Sequence, residues 1–209
     1  MEPTSSQADI ATPRQLLEAQ IRECYGRSVY THTIHRKAAQ TLLRRLGTVR
    51  LFQIILSALT TGGLIAAVAK LDARLAIGGT LASALLFALN LYVRDYDPGT
   101  LAEKHNQAAA QVWAVREAYM SLITDIRMGV DDLATLRKRR DDLQHRLHEV
   151  YEQAPSTDTK AYRDAQKALK YNEEHTFSPE EIDHFLPAQL QSTALFSPPG
   201  ETEVHATIT

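Results

Sequence analysis

Among the few polar side chains of two uncharged, apolar runs, 51–69 and 75–93, are Gln53, Thr60, Ser83 and Asn90, with Tyr92 and a few further hydroxyls. An amide or hydroxyl in such a setting either hydrogen-bonds a neighbouring helix or faces water along a path through an apolar layer. These groups are uncharged and lose little by facing a neighbour, so chemistry alone favours the packing role. Elsewhere, histidines fall three apart at His32 and His35 and again at His145 and His148, a spacing that sets both rings on one helix face and could hold a metal. Neither pair has a nearby cysteine or an evident third ligand, so both are expected to be surface histidines. The chain has no glycine-rich phosphate loop, CxxC, HExxH or nucleophile motif. The expectation is a protein that is not an enzyme, with no catalytic residue, cofactor or metal. The single Cys24 cannot form an intramolecular disulfide, which fits a reducing compartment, and Trp113 is expected to be a packing anchor.

The elements that must position these residues are set by a segregation that the average composition hides. Apolar residues are 44% and charged residues 23%, both near the globular norm, yet residues 51–93 hold only three charges, Lys70, Asp72 and Arg74. Each run is about 19 residues, or roughly 28 Å of helix, close to the hydrocarbon thickness of a bilayer. Neither shows the polar face that a soluble helix repeats every 3.6 residues. A wholly buried hairpin would need a larger surrounding core than this chain can build. The expected fold is all-α, a two-helix transmembrane hairpin with a cytoplasmic helical bundle or coiled-coil part. The first run begins about fifty residues in without a small-residue cleavage pattern, so it is expected to remain in the mature protein. A net charge of −2 gives no basic excess for nucleic acid.

Residues 70–74 are too few to let the two runs separate, so they must return antiparallel with both ends on one side. Arg36, Lys37, Arg44, Arg45 and Arg50 precede the first run and Arg94 follows the second, against Lys70 and Arg74 in the turn. The positive-inside rule then places both termini in the cytoplasm, in a multi-pass protein of a bacterial inner membrane. Antiparallel pairing brings Gln53 and Asn90 to similar depth. Ala58, Gly62 and Ala66 form a small-residue ridge roughly opposite Gln53, while Ala76, Gly79, Ser83 and Asn90 share one side of the second run. Ala58, Gly62, Ala66 and Gly79 are thus the candidate helix-packing residues, and Gln53, Thr60, Ser83 and Asn90 the candidate pore-lining or interhelical ones. Two helices cannot enclose a pore, so any conduction requires a homo-oligomer in the lipid bilayer.

Outside the runs, residues 1–12 read as disordered, and Thr12 with Pro13 opens a helix or helices over 13–50, with an irregularity near 31–33. Asp97, Pro98 and Gly99 mark a break before a cytoplasmic helical region, 100–187. Its apolar positions, from Ala108, Val112, Val115, Tyr119, Leu122 and Ile126 on to Leu136, Leu143 and Val150, keep a heptad-like spacing with faults at Gly129 and Arg140. Gly129 followed by Asp131 and Asp132 is expected to end one helix and cap the next. The charges of 137–146 make a solvated face, a further helix spans about 160–175, and Ser178 to Glu181 open a short helix ending before Pro187. Residues 188–209 read as a flexible tail.

In this order of parts the chain resembles the SLATT family, two-transmembrane effectors of bacterial conflict systems. The resemblance covers roughly 16–186. It rests on the basic lead RRLGTVRLFQIILSALTTG, the short turn, the second span, and the following helix with Trp113 and Tyr119. The Gly129 break, the EVYEQAP stretch at 149–155 and the helix at 160–169 continue it. The resemblance implies a membrane-permeabilising effector in antiphage defence, coupled to a second-messenger synthase or sensor partner or to a cyclic nucleotide. It supplies no catalytic residues and assigns no nucleotide contacts. A membrane-anchored helical scaffold or sensor without pore activity is the alternative.

Overall fold

The computed structural model describes residues 11–69, 73–187 and 191. The described residues form six helices and no strand: α1 Pro13–Val68, α2 Ala73–Tyr96, α3 Pro98–Met128, α4 Leu133–Gln153, α5 Thr159–Lys170 and α6 Pro179–Phe185. The all-α expectation holds. Lys70, Leu71 and Asp72 of the expected turn lie outside the described residues, as do 1–10 and, except for Gln191, the expected tail 188–209.

Helix α1 is a single element of 56 residues, about 84 Å at 1.5 Å per residue, joining the basic lead to the first apolar run. Thr12 and Gln15 close a capping box at its start, with Pro13 at the first helical position. The irregularity expected near 31–33 is absent, because the Thr33 hydroxyl donates back to the Val29 carbonyl at 2.9 Å within an unbroken helix. Between α2 and α3 only Asp97 leaves the helix. It adopts a left-handed conformation, φ 37°, which a short polar side chain tolerates, and its carboxylate accepts from the Thr100 N–H at 3.1 Å. Pro98 then supplies the first position of α3, so the helix restarts earlier than the expected Thr100.

The α2–α3 pair runs antiparallel along α1. Late α1 meets early α2 where Gly63 touches Gly79, and early α1 meets late α3 where Arg14 donates to the Ile126 carbonyl at 3.0 Å. At Gly129 the chain turns, φ 71°, with its N–H on the Asp125 and Ile126 carbonyls, and Asp132 caps α4. Arg139 forks across that turn to Asp125 at 2.7 Å and Asp131 at 2.9 Å. Of the two heptad faults, Gly129 is therefore the turn itself. Arg140 is the other, and its guanidinium reaches Gln20 on α1 at 2.8 Å.

The core outside the hairpin lies among α1, α3 and α4: Leu17, Ile21 and Cys24 pack against Val115, Tyr119, Leu122 and Ile126, with Leu136 and Leu143 closing the third side. Ala108, Val112 and Val150 extend it. Helix α5 buries Ala161, Ala165 and Ala168 and ends at Lys170, short of the expected His175, since Glu173 and His175 take positive φ. The chain divides into two units at Ala168 and Leu169. In the second, Ser178 and Glu181 close a capping box on α6 as expected, and the Gln191 amide donates to the Asp183 and Leu186 carbonyls.

The hairpin is built the other way round. Leu51, Phe52, Ile54, Leu59, Leu64 and Ile65 on α1 and Leu75, Ile77, Leu81, Leu85 and Phe87 on α2 all point outward. Only 17% of the most apolar stretch of α1 is buried, and 11% of the second stretch, so neither is the core helix of a soluble domain. Inside the pair the helices touch at their backbones. A Cβ on Gly63 would lie 2.5 Å from the Gly79 Cα, and one on Gly79 would lie 2.7 Å from the Gly63 Cα. A Cβ on Gly62 meets nothing within 4 Å. Gly63→Ala is therefore expected to force the helices apart and to destabilise the hairpin by about 1–3 kcal/mol, whereas Gly62→Ala is neutral. Thermal unfolding of the full chain in detergent checks this, and equal midpoints for the two variants would contradict the contact.

Candidate functional site: the membrane hairpin and its helical junction

At one end of the hairpin the two amides meet: Gln53 Nε2 donates to Asn90 Oδ1 at 2.8 Å. Thr60 is half-buried between the helices, its hydroxyl bonded to the Leu56 carbonyl at 2.8 Å. Gly79 and Ala66 are buried in the same contact. Ala58 and Gly62 are exposed and line an open groove with Arg50, Gln53, Ser57, Thr61 and Asn90. Ser83 is exposed on α2. The three small residues Ala58, Gly62 and Ala66 thus do not share one surface. Each four-residue step turns about 40° past a full circle, so the row drifts about 80° around the helix over its length. Gly63, one position on from Gly62, makes the closest approach.

Beyond the aliphatic contact of Ala39 and Leu42 with Ala102, the α1–α3 interface becomes polar. His35 and His105 are buried, and their Nδ1 atoms lie 2.9 Å apart, one imidazole N–H donating to the other ring. His32 is also buried, 7% exposed, and its Nδ1–H donates to the Ala109 carbonyl at 2.9 Å. Burial holds the His35 pKa down to about 4, with His105 and then His32 adding to the effect. The His105 pKa is lowered too, by burial, against an opposing pull from the Asp158 carboxylate. The pair is neutral at physiological pH. A second protonation would put two like charges in contact.

Next along the interface, the Trp113 ring lies 5.1 Å from His32 and carries the Arg116 guanidinium 3.9 Å above its face, with Tyr25 at 5.9 Å on another side. Arg116 is only 8% exposed, and its Nε stands 3.3 Å from Glu117 without hydrogen-bond geometry. A planar cation held between rings and beside the Glu117 carboxylate tolerates this burial better than an ammonium would.

The expectation of surface histidines holds for His145 and His148, exposed beside Glu149 and Glu152, but is overturned for His32 and His35. Their partners lie across the interface on α3, not on each other. The available signal was phase. His32 and His35 continue the buried row Leu17, Ile21, Cys24 and Ser28 at spacings of three and four, as His105 continues the row of Ala102 and Ala108. Arg116 carried no such signal, because a charge beside a heptad position reads as solvated.

With this architecture in place, comparison with protein families identifies the class. The family described as SMODS and SLOG-associating 2TM effector domain family 4 matches residues 17–181. The chain belongs to that family and is a membrane effector protein of conflict systems. Neither the curated proteins nor the solved structures give a match.

The buried histidines have a measurable consequence. In the unfolded chain imidazole titrates near 6.5, and in the fold His35 is held to about 4. Its contribution to stability is complete above about pH 6.5 and is lost as pH falls towards 4. Melting midpoints in detergent between pH 7.5 and 4.5 should therefore fall more steeply for the native chain than for His35→Gln. Parallel curves would show that His35 takes up its proton in the fold as readily as in the unfolded chain, and would contradict the depressed pKa.

Proposed function

We propose that the chain oligomerises in the inner membrane and permeabilises it in antiphage defence, on a signal received by the cytoplasmic helices from a nucleotide or a partner protein. Both termini lie in the cytoplasm, as the basic lead to α1 and Arg94 after the second span indicate under the positive-inside rule. The observation that carries the reading is the open groove in which Arg50, Gln53, Ser57, Thr61 and Asn90 stand among Ala58, Gly62, Ile54, Ile65 and Leu86. The Gln53 and Asn90 amides bond each other and the Thr61 hydroxyl bonds the Ser57 carbonyl, yet each keeps further hydrogen-bonding capacity at a surface facing the hydrocarbon layer and its edge, where polar groups are costly. Several copies side by side let the same surface pack against a neighbour or wet a central path. Membership of a two-transmembrane effector family supports an action at the membrane itself.

A signal would reach the hairpin through continuous helix. Helix α1 runs without a break from the three-helix core into the first apolar run, and a single residue, Asp97, separates α3 from α2. Rearrangement in the cytoplasmic part therefore has little slack to absorb it before the spans move.

One observation favours a second reading, a membrane-anchored scaffold or sensor. Gln53 and Asn90 satisfy each other, which is what interhelical amides do in a purely structural hairpin. Replacing both with leucine separates the two readings. If the groove conducts, Gln53→Leu with Asn90→Leu abolishes potential collapse and entry of an impermeant dye after induced expression, while the protein stays in the membrane fraction. If the hairpin is only an anchor, the native chain retains both potential and dye exclusion under activating conditions.

A further inference from the structure

Beside the hairpin, at the level where its spans meet the cytoplasm, a second cleft combines features that the groove of the proposed path lacks. Arg44 and Arg45 on α1 and Lys160 at the start of α5 line one part of it, with Thr41 and Thr48 between them. Val49, Leu89 and Tyr92 line the rest. Its volume of about 610 Å³ falls within the range of about 300–1,000 Å³ typical of small-ligand sites. Cations and hydroxyls therefore stand next to an aliphatic and aromatic lining shared by α1 and α2. Tyr92 stacks on Tyr96 with ring centroids 5.5 Å apart, and paired tyrosines of this kind mark the headgroup level of a bilayer.

The charges in the cleft are unbalanced. Lys160 is tied to Asp164 within its own helix, but neither Arg44 nor Arg45 forms an ion pair among the described residues. No carboxylate lines the cleft. Two arginines without a counter-charge among the described residues, beside the apolar lining of Val49, Leu89 and Tyr92, match a ligand with a phosphate at one end and hydrocarbon at the other.

We propose that this cleft binds an anionic phospholipid of the inner leaflet, its phosphate held by Arg44, Arg45 and Lys160 and an acyl chain laid against Val49 and Leu89. The proposal rests on the hairpin lying in lipid and does not depend on whether it conducts. Bound there, the lipid ties the start of α5 to α1 and α2 and fixes the cytoplasmic part against the membrane surface.

The test uses the full chain in neutral detergent micelles, titrated with phosphatidylglycerol or phosphatidylcholine and read by native mass spectrometry and melting midpoint. The expected result is one phosphatidylglycerol retained per chain with a raised midpoint, and no retained phosphatidylcholine. Arg44→Gln with Arg45→Gln should weaken retention about thirtyfold, at about fivefold for each cation removed near the surface. Arg44→Lys with Arg45→Lys should keep most of it, which guards against loss through misfolding. Arg137→Gln with Lys138→Gln, removing exposed charges on α4, should change nothing. Three results would overturn the proposal: equal retention of the two lipids, equal loss in the α4 variant, or displacement of the lipid by millimolar inorganic phosphate, which would make the ligand a soluble phosphate. Carbonate extraction of the same preparations reports separately whether the protein is membrane-integral.

Discussion

The constraint on which the rest depends is the direction in which the hairpin's large apolar side chains point. They face away from the partner helix, and the helices meet through glycine backbones at Gly63 and Gly79. A soluble helical pair does the reverse, turning leucines inward and charges out. Without a polar face to solvate or a surrounding core to enter, these surfaces need an apolar medium, and the close glycine contact lets van der Waals packing hold the pair where no hydrophobic drive between helices exists. The part outside the hairpin follows the opposite rule. Leu17, Ile21, Tyr119, Leu122 and Leu136 are buried, and Glu18, Arg127 and Arg139 make ion pairs at the surface. One continuous helix, α1, passes from one solvent regime to the other.

The histidine and arginine cluster lies along the α1–α3 interface, the histidines between the three-helix core and the spans and Arg116 at the edge of that core. Polar contacts there are directional where aliphatic ones are not. His35 with His105 and His32 with the Ala109 carbonyl admit one register of α1 against α3. Buried neutral imidazoles make that register sensitive to protonation.

Much of this was legible in the residues. The spans could be read because two runs of that length had no polar face, and the caps at Thr12 and Ser178 and the turn at Gly129 because each uses a residue type the backbone geometry demands. The pairing of Gln53 with Asn90 followed from antiparallel depth alone. Orientation about the helix axis was harder to read. A helix apolar on all sides has no moment to say which face meets the partner, so periodicity could not choose Gly63 over Gly62. The continuity of α1 past residues 31–33 was hidden for a related reason, since β-branched and hydroxyl residues weaken helix propensity but yield to packing on both sides. The buried histidines were missed because residue type outweighed phase.

The central claim, that lipid surrounds the hairpin, is tested most directly by nitroxide labels on the full chain reconstituted in liposomes, placed one at a time at Leu81→Cys on the outer face of α2 and at Ser121→Cys on α3, with Cys24→Ala as background. The account predicts that the label at position 81 is relaxed strongly by oxygen and hardly at all by a water-soluble nickel chelate, with the reverse at position 121. A label at position 81 that the chelate reaches as readily as at 121, or that neither reagent reaches, would contradict it.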